Sequence, residues 1–149
     1  MPKRPQVGIG VLITKDDRVL LMKGGNAHGD ATWSTPGGHL GYGELLEESA
    51  MRAAQDVIGV IIADVTFLAI TNEVFEAHKA HALTIWMAGR YVSGTPTTNP
   101  GQEMSALDWF AWDALPEPLF LPFEYLLTGR CYPALWDFSG GDGARIHPV

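Results

Sequence analysis

The chain has 149 residues, of which 46 % are hydrophobic and 18 % charged, a composition that indicates one ordinary globular domain rather than a disordered or fibrous protein. The formal net charge of -7 argues against a nucleic-acid polymer as partner, since such binders present a basic face, and leaves room for a small anionic substrate. A single cysteine, Cys131, excludes an intrachain disulfide, and no apolar run approaches the roughly 20 residues of a membrane span, so we expect a cytoplasmic protein.

The first 44 residues are expected to form a hairpin followed by a loop and a break in regular structure. In chain order, we predict a strand at Val7–Ile13, a polar turn at Lys15–Arg18, a second arm at Val19–Met22, a loop from Gly24 to Asp30, an extended stretch around Trp33, and an interruption at Pro36–Gly38. The small residues that alternate with β-branched ones in the first strand suit close packing on another layer.

A long helix is predicted from Leu45 to Ile58, ended by Gly59 just past its last turn. At about 100° per residue, one side carries Leu46, Ser49, Ala53 and Val57, with Asp56 at its edge. The opposite arc, which we expect to pack toward the core, holds Ala50, Met51, Ala54 and Ile58. Glu48 and Arg52 are four residues apart, so we expect them to pair on the helix surface.

The second half of the chain is rich in strand patterns. They predict long strands at Val60–Val74 and Ala80–Val92 joined by Phe75–Lys79, a strand at Leu107–Trp112, a turn at Asp113–Pro116, a short helix at Leu119–Leu127 and a loose glycine-rich tail at Ser139–Ala144. The order of strands, helix, strands and helix indicates a mixed sheet flanked by helices.

The segment Pro36–Glu44 is a candidate anion site, because it holds four glycines immediately before the long helix. Glycine removes the side-chain obstruction and lets the backbone approach a ligand. The free amides and dipole of a helix N-terminus favour a negative charge. Gly37, Gly38 and His39 are therefore candidate substrate-binding residues.

The spacing of this segment and helix resembles the Nudix box, G-x5-E-x7-R-E-U-x-E-E-x-G-U, where U is a bulky aliphatic residue. The matching positions are Gly38, Glu44, Arg52 and Gly59-Val60, and the stretches Trp33–Leu40, Ile85–Met87 and Trp109–Pro116 are also similar to the small MutT-like pyrophosphohydrolases of that family. The resemblance covers roughly Gly8 to Pro116.

The resemblance implies an α/β (α+β) fold: a Nudix-like α/β/α sandwich with a mixed β-sheet and a loop–helix–loop phosphate and metal motif. It also implies a single domain over residues 1–149, with a core at about 7–128 and a C-terminal tail at 132–149.

The box is degenerate at the three glutamates that bind Mg²⁺ or Mn²⁺ in active family members, because Ala53, Asp56 and Val57 occupy their positions. A hard divalent cation needs several oxygen ligands. The remaining candidate metal ligands are Asp56, the Gly37 carbonyl and Glu103, which could hold one ion weakly. Candidate catalytic residues are Asp56, Glu103, Glu44 and Arg52, although Glu44 could instead accept backbone amide hydrogen bonds from its own loop.

Two further residues are candidates for substrate contact. Lys23 ends the strand that leads into the loop and could bind a phosphate, and Phe75 could stack on a nucleobase. The aromatic residues Trp33, Trp86, Trp109 and Phe110 are most simply core residues.

Three functions stay open on the sequence. The first is hydrolysis of a diphosphate bond in a nucleoside diphosphate-linked or triphosphate substrate with a reduced Mg²⁺ or Mn²⁺ site. The second is a nucleotide- or metabolite-binding or regulatory module without hydrolase activity, motivated by Ala53 and Val57. The third is altered chemistry on a nucleotide sugar or phosphorylated metabolite through His39 or another loop residue. The apolar segment Leu119–Leu127 could form a homodimer interface or be buried within one chain.

Overall fold

The computed structural model describes residues 3–25, 31–97 and 104–133. The elements in chain order are β1 (Gln6–Lys15), β2 (Arg18–Gly25), β3 (Ala31–Ser34), β4 (Gly37–His39), α1 (Leu46–Ile58), β5 (Ile61–Phe75), a short 3-10 turn (Glu76–His78), β6 (Ala80–Ser93), β7 (Met104–Ala111) and α2 (Leu121–Leu127). The predicted tail at Ser139–Ala144 lies outside the described residues.

The predicted hairpin joins β1 to β2 through a two-residue turn. Asp16 and Asp17 both adopt positive φ, at 51° and 62°, the backbone twist that matches two antiparallel strands. The pairs Thr14↔Val19 and Lys15↔Arg18 close the ladder beside the turn. The hairpin prediction is confirmed.

The strands form one mixed sheet, as predicted. Its central path runs β3-β2-β1-β6-β5, with β4 on β1 and β7 on β2. β1 pairs with β6 in parallel over nine residue pairs from Gln6↔Ala82 to Thr14↔Arg90, whereas β5 and β6 are antiparallel. The two long strands predicted in the second half of the chain are therefore neighbours.

β1 and β2 pair only next to their turn, and each then takes a different partner. β1 pairs with β4 through Gly8↔His39, Ile9↔Gly38 and Gly10↔Gly37, while β2 pairs with β3. The prediction that Pro36–Gly38 interrupts regular structure was wrong for the two glycines, because a strand edge at β1 is available to pair with them. A space opens between β1–β4 on one side and β2–β3 on the other.

Each face of the sheet is covered by one helix, which confirms the sandwich. On one face, α1 packs against β1, β4, β5 and β6. The core on this face consists of Ile9, Val11, Ile13, Leu20, Ala50, Ala53, Ala54, Ile58, Val60, Ile62 and Met87. On the other face, α2 packs against β5. Its Phe123 and Leu126 join a core with Leu12, Val19, Leu21, Leu68, Ala69, Trp86, Trp112 and Cys131.

The bounds of α1 are those predicted to within one residue, and Gly59 ends the helix with a φ of 72°. The assignment of its faces was partly wrong. Met51 is 42 % exposed, whereas Ser49 and Ala53, on the side that faces metal in the family pattern, are 1 % and 2 % exposed. The helix lies with the Ser49–Ala53 side turned into the sheet, so a stripe of small residues lets it approach the strands closely.

The second helix is buried within its own chain, which is one of the two alternatives left open for this segment. Phe123 and Leu126 are fully buried, and α2 begins at Leu121 with Pro122 in its first turn. After the helix, Tyr132 exchanges two backbone hydrogen bonds of 2.8 Å with Ile70 on the outer edge of β5. Within the described ranges, no helix is long and apolar enough to cross a membrane.

Candidate functional site

A cavity of about 390 Å³ occupies the space where β1 and β2 separate. Its walls come from β1 and β4 on one side and from β2 and β3 on the other. β6 contributes the floor, and Phe75, Phe120 and Pro122 close one end. Pockets that bind small molecules usually fall between about 300 and 1,000 Å³, so the cavity is large enough for a nucleotide-sized ligand.

Gly37 is required in β4 because it lies directly against β1. A Cβ atom at this position would be 2.3 Å from the carbonyl oxygen of Ile9, closer than real contacts allow. The amide of Val11 donates to the carbonyl of Pro36 at 2.9 Å. Because alternate residues of an antiparallel strand point to opposite edges, the amide and carbonyl of Gly37 point away from β1. Gly37 therefore directs its backbone polar groups away from β1, at the cavity wall, whereas the amide and carbonyl of Gly38 face Ile9.

Trp86 forms the floor of the cavity by lying across three strands. A Cβ atom at Gly10 of β1 would be 2.5 Å from the six-membered ring of Trp86, so only glycine leaves room for the indole. At its other end, the indole N–H donates to the Thr71 hydroxyl of β5 at 2.9 Å. The small residues that alternate in β1 make space for this tryptophan.

The closed end of the cavity is aromatic. The rings of Phe75 and Phe120 are stacked, with centroids 6.3 Å apart and planes 19° apart. Phe120 is held by two backbone contacts around Trp33: Phe120 N–H donates to the Trp33 carbonyl at 2.9 Å, and Trp33 N–H donates to the Pro118 carbonyl at 2.8 Å. These contacts fix an apolar wall on which a planar group can pack.

The loop between β4 and α1 is fastened to the helix by Arg52. Its Nε donates to Oε2 of Glu44 at 2.7 Å, while Nη2 donates to Oε1 of Glu44 at 3.0 Å and to the His39 carbonyl at 2.9 Å. Glu44 also accepts the Gly41 amide at 2.8 Å, as expected for a residue that caps its own loop. The hydrogen bond from Arg52, followed by that from Gly41, lowers the pKa of Glu44 to about 2.

The expected pair between Glu48 and Arg52 was wrong. Glu48 instead accepts the amide of Leu45 at 2.8 Å, where it satisfies a free N–H at the start of α1. The guanidinium is drawn to Glu44, because that carboxylate can accept two parallel N–H bonds.

The described residues provide few metal ligands. Asp56 is exposed on α1, with its carboxylate 4.0 Å from Nη1 of Arg52, and is not among the described residues that line the cavity. Val57 packs against the core and Ala53 lies within it. In the described ranges, no three His, Cys, Asp or Glu residues are grouped as a metal site. The predicted ligand Glu103 lies outside those ranges.

The cavity brings together some of the residues predicted from the sequence and leaves others apart. Gly37, Gly38, His39 and Phe75 line it. Lys23 lies in β2 between the lining residues Met22 and Gly24, so the alternation of the strand turns its side chain to the other face. The residues missed as site residues include Gly10, Thr84, Trp86 and Phe120. Of these, only Gly10 had a signal in the sequence, which is the alternation of small residues in β1.

Comparison with known proteins gives one family. The model of the NUDIX domain matches residues 4–141. A MutT NUDIX hydrolase from Burkholderia pseudomallei has a similar structure, with a TM-score of 0.75 and 30 % identity, over 83 % of this chain and 97 % of that one.

Two curated relatives are also similar in sequence. The chain is 30 % identical over 106 residues to the NAD-capped RNA hydrolase NudC of Pseudomonas aeruginosa. The aligned region covers 71 % of this chain and 36 % of that protein. The chain is 24 % identical over 116 residues to an ADP-ribose pyrophosphatase of Methanocaldococcus jannaschii, covering 78 % of this chain and 68 % of the relative. The chain thus spans only about a third of the length of the NudC protein.

Proposed function

The chain belongs to the Nudix family, and from this premise we propose that it is a hydrolase that cleaves a diphosphate bond in a small nucleotide-linked substrate. The substrate occupies the cavity between β1–β4 and β2–β3. The names of its relatives, an ADP-ribose pyrophosphatase and an NAD-capped RNA hydrolase, support a nucleoside diphosphate-linked compound.

The observation that carries the proposal is the continuity of the cavity from the glycine strand to the aromatic wall. Gly37, Gly38 and His39 line it together with Phe75 and Phe120. Backbone N–H groups can donate to phosphate oxygens, and a stacked aromatic pair offers a flat apolar surface to a base. A nucleotide contains both a phosphate and a planar base, and one small cavity can hold the two together.

Arg52 and Glu44 serve in this proposal as positioning residues rather than catalytic ones. Arg52 donates to Glu44, to the His39 carbonyl and to the Ser49 hydroxyl, and Glu44 also accepts from the Gly41 amide. They hold the loop after β4 against α1, and so keep the glycine strand in place when a charged ligand binds beside it. A loop fixed before binding loses less entropy on binding.

A divalent cation, when bound, would polarise the diphosphate and help to generate the attacking hydroxide. Asp56 and the outward carbonyl of Gly37 could each supply one oxygen, but the described residues do not complete a ligand set. Glu103 is the residue we propose as a further ligand or catalytic acid.

The test is release of nucleoside monophosphate from ADP-ribose, NADH and nucleoside triphosphates, with Mg²⁺, Mn²⁺ or EDTA. We expect turnover of at least one diphosphate-linked compound, abolished by EDTA and by Glu103→Gln. The Glu117→Gln variant, which changes an exposed carboxylate outside the cavity, is the matched control. No turnover above a heat-inactivated sample at high protein concentration contradicts the proposal.

The second candidate is a binding module that has kept the cavity and lost hydrolysis. The observation that favours it is the burial of the α1 side that carries Ala53, since a buried methyl group cannot be a metal ligand. In that case AMP or ADP-ribose raises the melting temperature equally with Mg²⁺ and with EDTA. A shift that disappears in EDTA favours the hydrolase instead.

A further inference from the structure

A carboxyl group is buried behind the floor of the cavity. Glu73, in β5, is fully buried, and its cross-strand partner in β6 is Ala82. A buried carboxyl is costly unless its oxygens find hydrogen-bond donors. Burial raises the pKa of Glu73, and the hydrogen bonds from Thr71 and Thr84 act in the opposite direction.

The hydrogen bonds around Glu73 form a chain from Trp86 through Thr71 to the carboxylate, and Trp86 fixes its direction. An indole N–H can only donate, so the Thr71 oxygen must accept from Trp86, at 2.9 Å. The Thr71 hydroxyl hydrogen is then directed to Oε1 of Glu73, with which it makes a short contact. Oε1 is therefore an acceptor, and Oε2 is the oxygen that faces the next member of the network.

That next member is Thr84, whose hydroxyl donates to Oε2 of Glu73 at 3.3 Å. Thr84 and Trp86 line the cavity, whereas Thr71 and Glu73 lie behind them. A hydroxyl has one hydrogen and two lone pairs. When the hydrogen is directed to Glu73, the Thr84 oxygen can offer a ligand only its lone pairs.

We propose that Glu73 is a specificity-determining positioning residue, which holds the Thr84 hydroxyl as a hydrogen-bond acceptor in the cavity. The site thereby selects a planar group that presents an N–H at this point, such as the exocyclic amine of adenine or cytosine. A carbonyl in the same place would meet the Thr84 lone pairs without a hydrogen between them. The inference deepens the proposed function by naming the class of base.

The variant Glu73→Gln tests the direction of the chain, because glutamine has the same shape and no charge. Its amide oxygen has to accept from Thr71, since Trp86 still fixes that hydroxyl. Its NH₂ group then faces Thr84 and donates to it. The Thr84 hydrogen is released toward the cavity, so the variant presents a donor where the wild type presents an acceptor.

The experiment measures dissociation constants by calorimetry at pH 8.5 for two pairs of probes, AMP with IMP and CMP with UMP. The pair of probes that binds the wild type more tightly is then measured with each variant. We expect the wild type to prefer the amino member at least about tenfold, the size of one hydrogen bond of about 1.4 kcal/mol. In Glu73→Gln the ratio falls at least about tenfold or inverts.

Thr84→Val and Thr84→Ser are the paired controls. Valine removes the hydroxyl, so both probes should bind within about twofold of each other, whereas serine keeps it and should keep the preference. This pair decides the proposal if Glu73→Gln does not fold. An unchanged ratio in a folded Glu73→Gln, an unchanged ratio in Thr84→Val, or no binding of any probe to the wild type would overturn it.

The measurement needs no turnover, so it separates this inference from the proposed function. Binding with an amino preference that Glu73→Gln removes, but without hydrolysis of any diphosphate, supports the inference and contradicts the hydrolase. Hydrolysis of a diphosphate, together with a ratio of dissociation constants that Glu73→Gln leaves unchanged, supports the hydrolase and contradicts the inference.

Discussion

Arg52, in the second turn of α1, and Glu44, in the loop that precedes the helix, form a two-point ion pair, with Nε to Oε2 at 2.7 Å and Nη2 to Oε1 at 3.0 Å. The same guanidinium reaches the carbonyl of His39, the last residue of β4. One side chain of α1 thus holds both ends of the loop, and the wall of the cavity is coupled to the helix.

Replacing Arg52 by glutamine should raise the pKa of Glu44 from about 2 toward its ordinary 4.5, because the largest cause of the lowering is the hydrogen bond from Arg52. The rise should stop short of 4.5, since the Gly41 amide still donates. Titration of the side-chain carboxyl carbon by NMR measures it. Arg90→Gln, which breaks the Arg90–Asp64 pair elsewhere, should leave Glu44 unchanged; a Glu44 midpoint near 2 in Arg52→Gln would contradict the assignment.

The same pair should make stability depend on pH in the acid range. The folded pKa of Glu44 is lower than the unfolded one, so its contribution is present above about pH 4.5 and is lost as the pH falls toward 2. The urea midpoints of the wild type and Arg52→Gln should therefore differ at pH 7 and differ much less at pH 2.5. A difference that is the same at both pH values would exclude Glu44 as its source.

Gly37→Ala should destabilise the protein by on the order of 1–3 kcal/mol, because the added Cβ would be 2.3 Å from the Ile9 carbonyl and backbone must move. Gly38→Ala is the matched control, since nothing lies within 4 Å of its added Cβ. Urea denaturation of the two variants tests the difference. Equal stabilities would show that β4 does not lie against β1 in this way.

Phe75→Ala should weaken AMP binding about tenfold or more, since a base stacked on an aromatic ring gains about 1–3 kcal/mol. Phe67→Ala, at a position that is 47 % exposed and is not on the cavity wall, should bind AMP like the wild type. Calorimetric titration measures both. If the two variants bind AMP equally well, the aromatic wall is not the base site.

Substituting glutamate at positions 53 and 57 of α1 should affect the stability of the protein unequally. Ala53→Glu should cost roughly 2 kcal/mol or more, because position 53 is 2 % exposed and the carboxylate has to be desolvated. Val57→Glu, at a half-buried position beside Asp56, should be tolerated better and should increase stabilisation by Mg²⁺. Melting temperatures with and without Mg²⁺ decide this, and a stable Ala53→Glu variant would contradict the packing of α1.

The sequence by itself determined the elements whose signals are local. The turn at Asp16 and Asp17, the helix ended by Gly59 and the long strands on either side of Phe75–Lys79 follow from backbone preference and from the period of the apolar residues. The motif spacing also identified the family and the loss of carboxylates at positions 53 and 57, because these are facts about residue identity and order.

Only the tertiary structure decided which residues share the cavity. Thr84, Phe120 and Gly10 are distant in the chain and have no local signature, and they meet because β1 pairs in parallel with β6 and because the segment before α2 pairs with β3. The partner of Arg52 and the burial of Ala53 depended on how α1 is rotated against the sheet. The role proposed for Glu73 also depended on the tertiary structure, since it comes from hydrogen bonds across strands, which residue order alone does not specify.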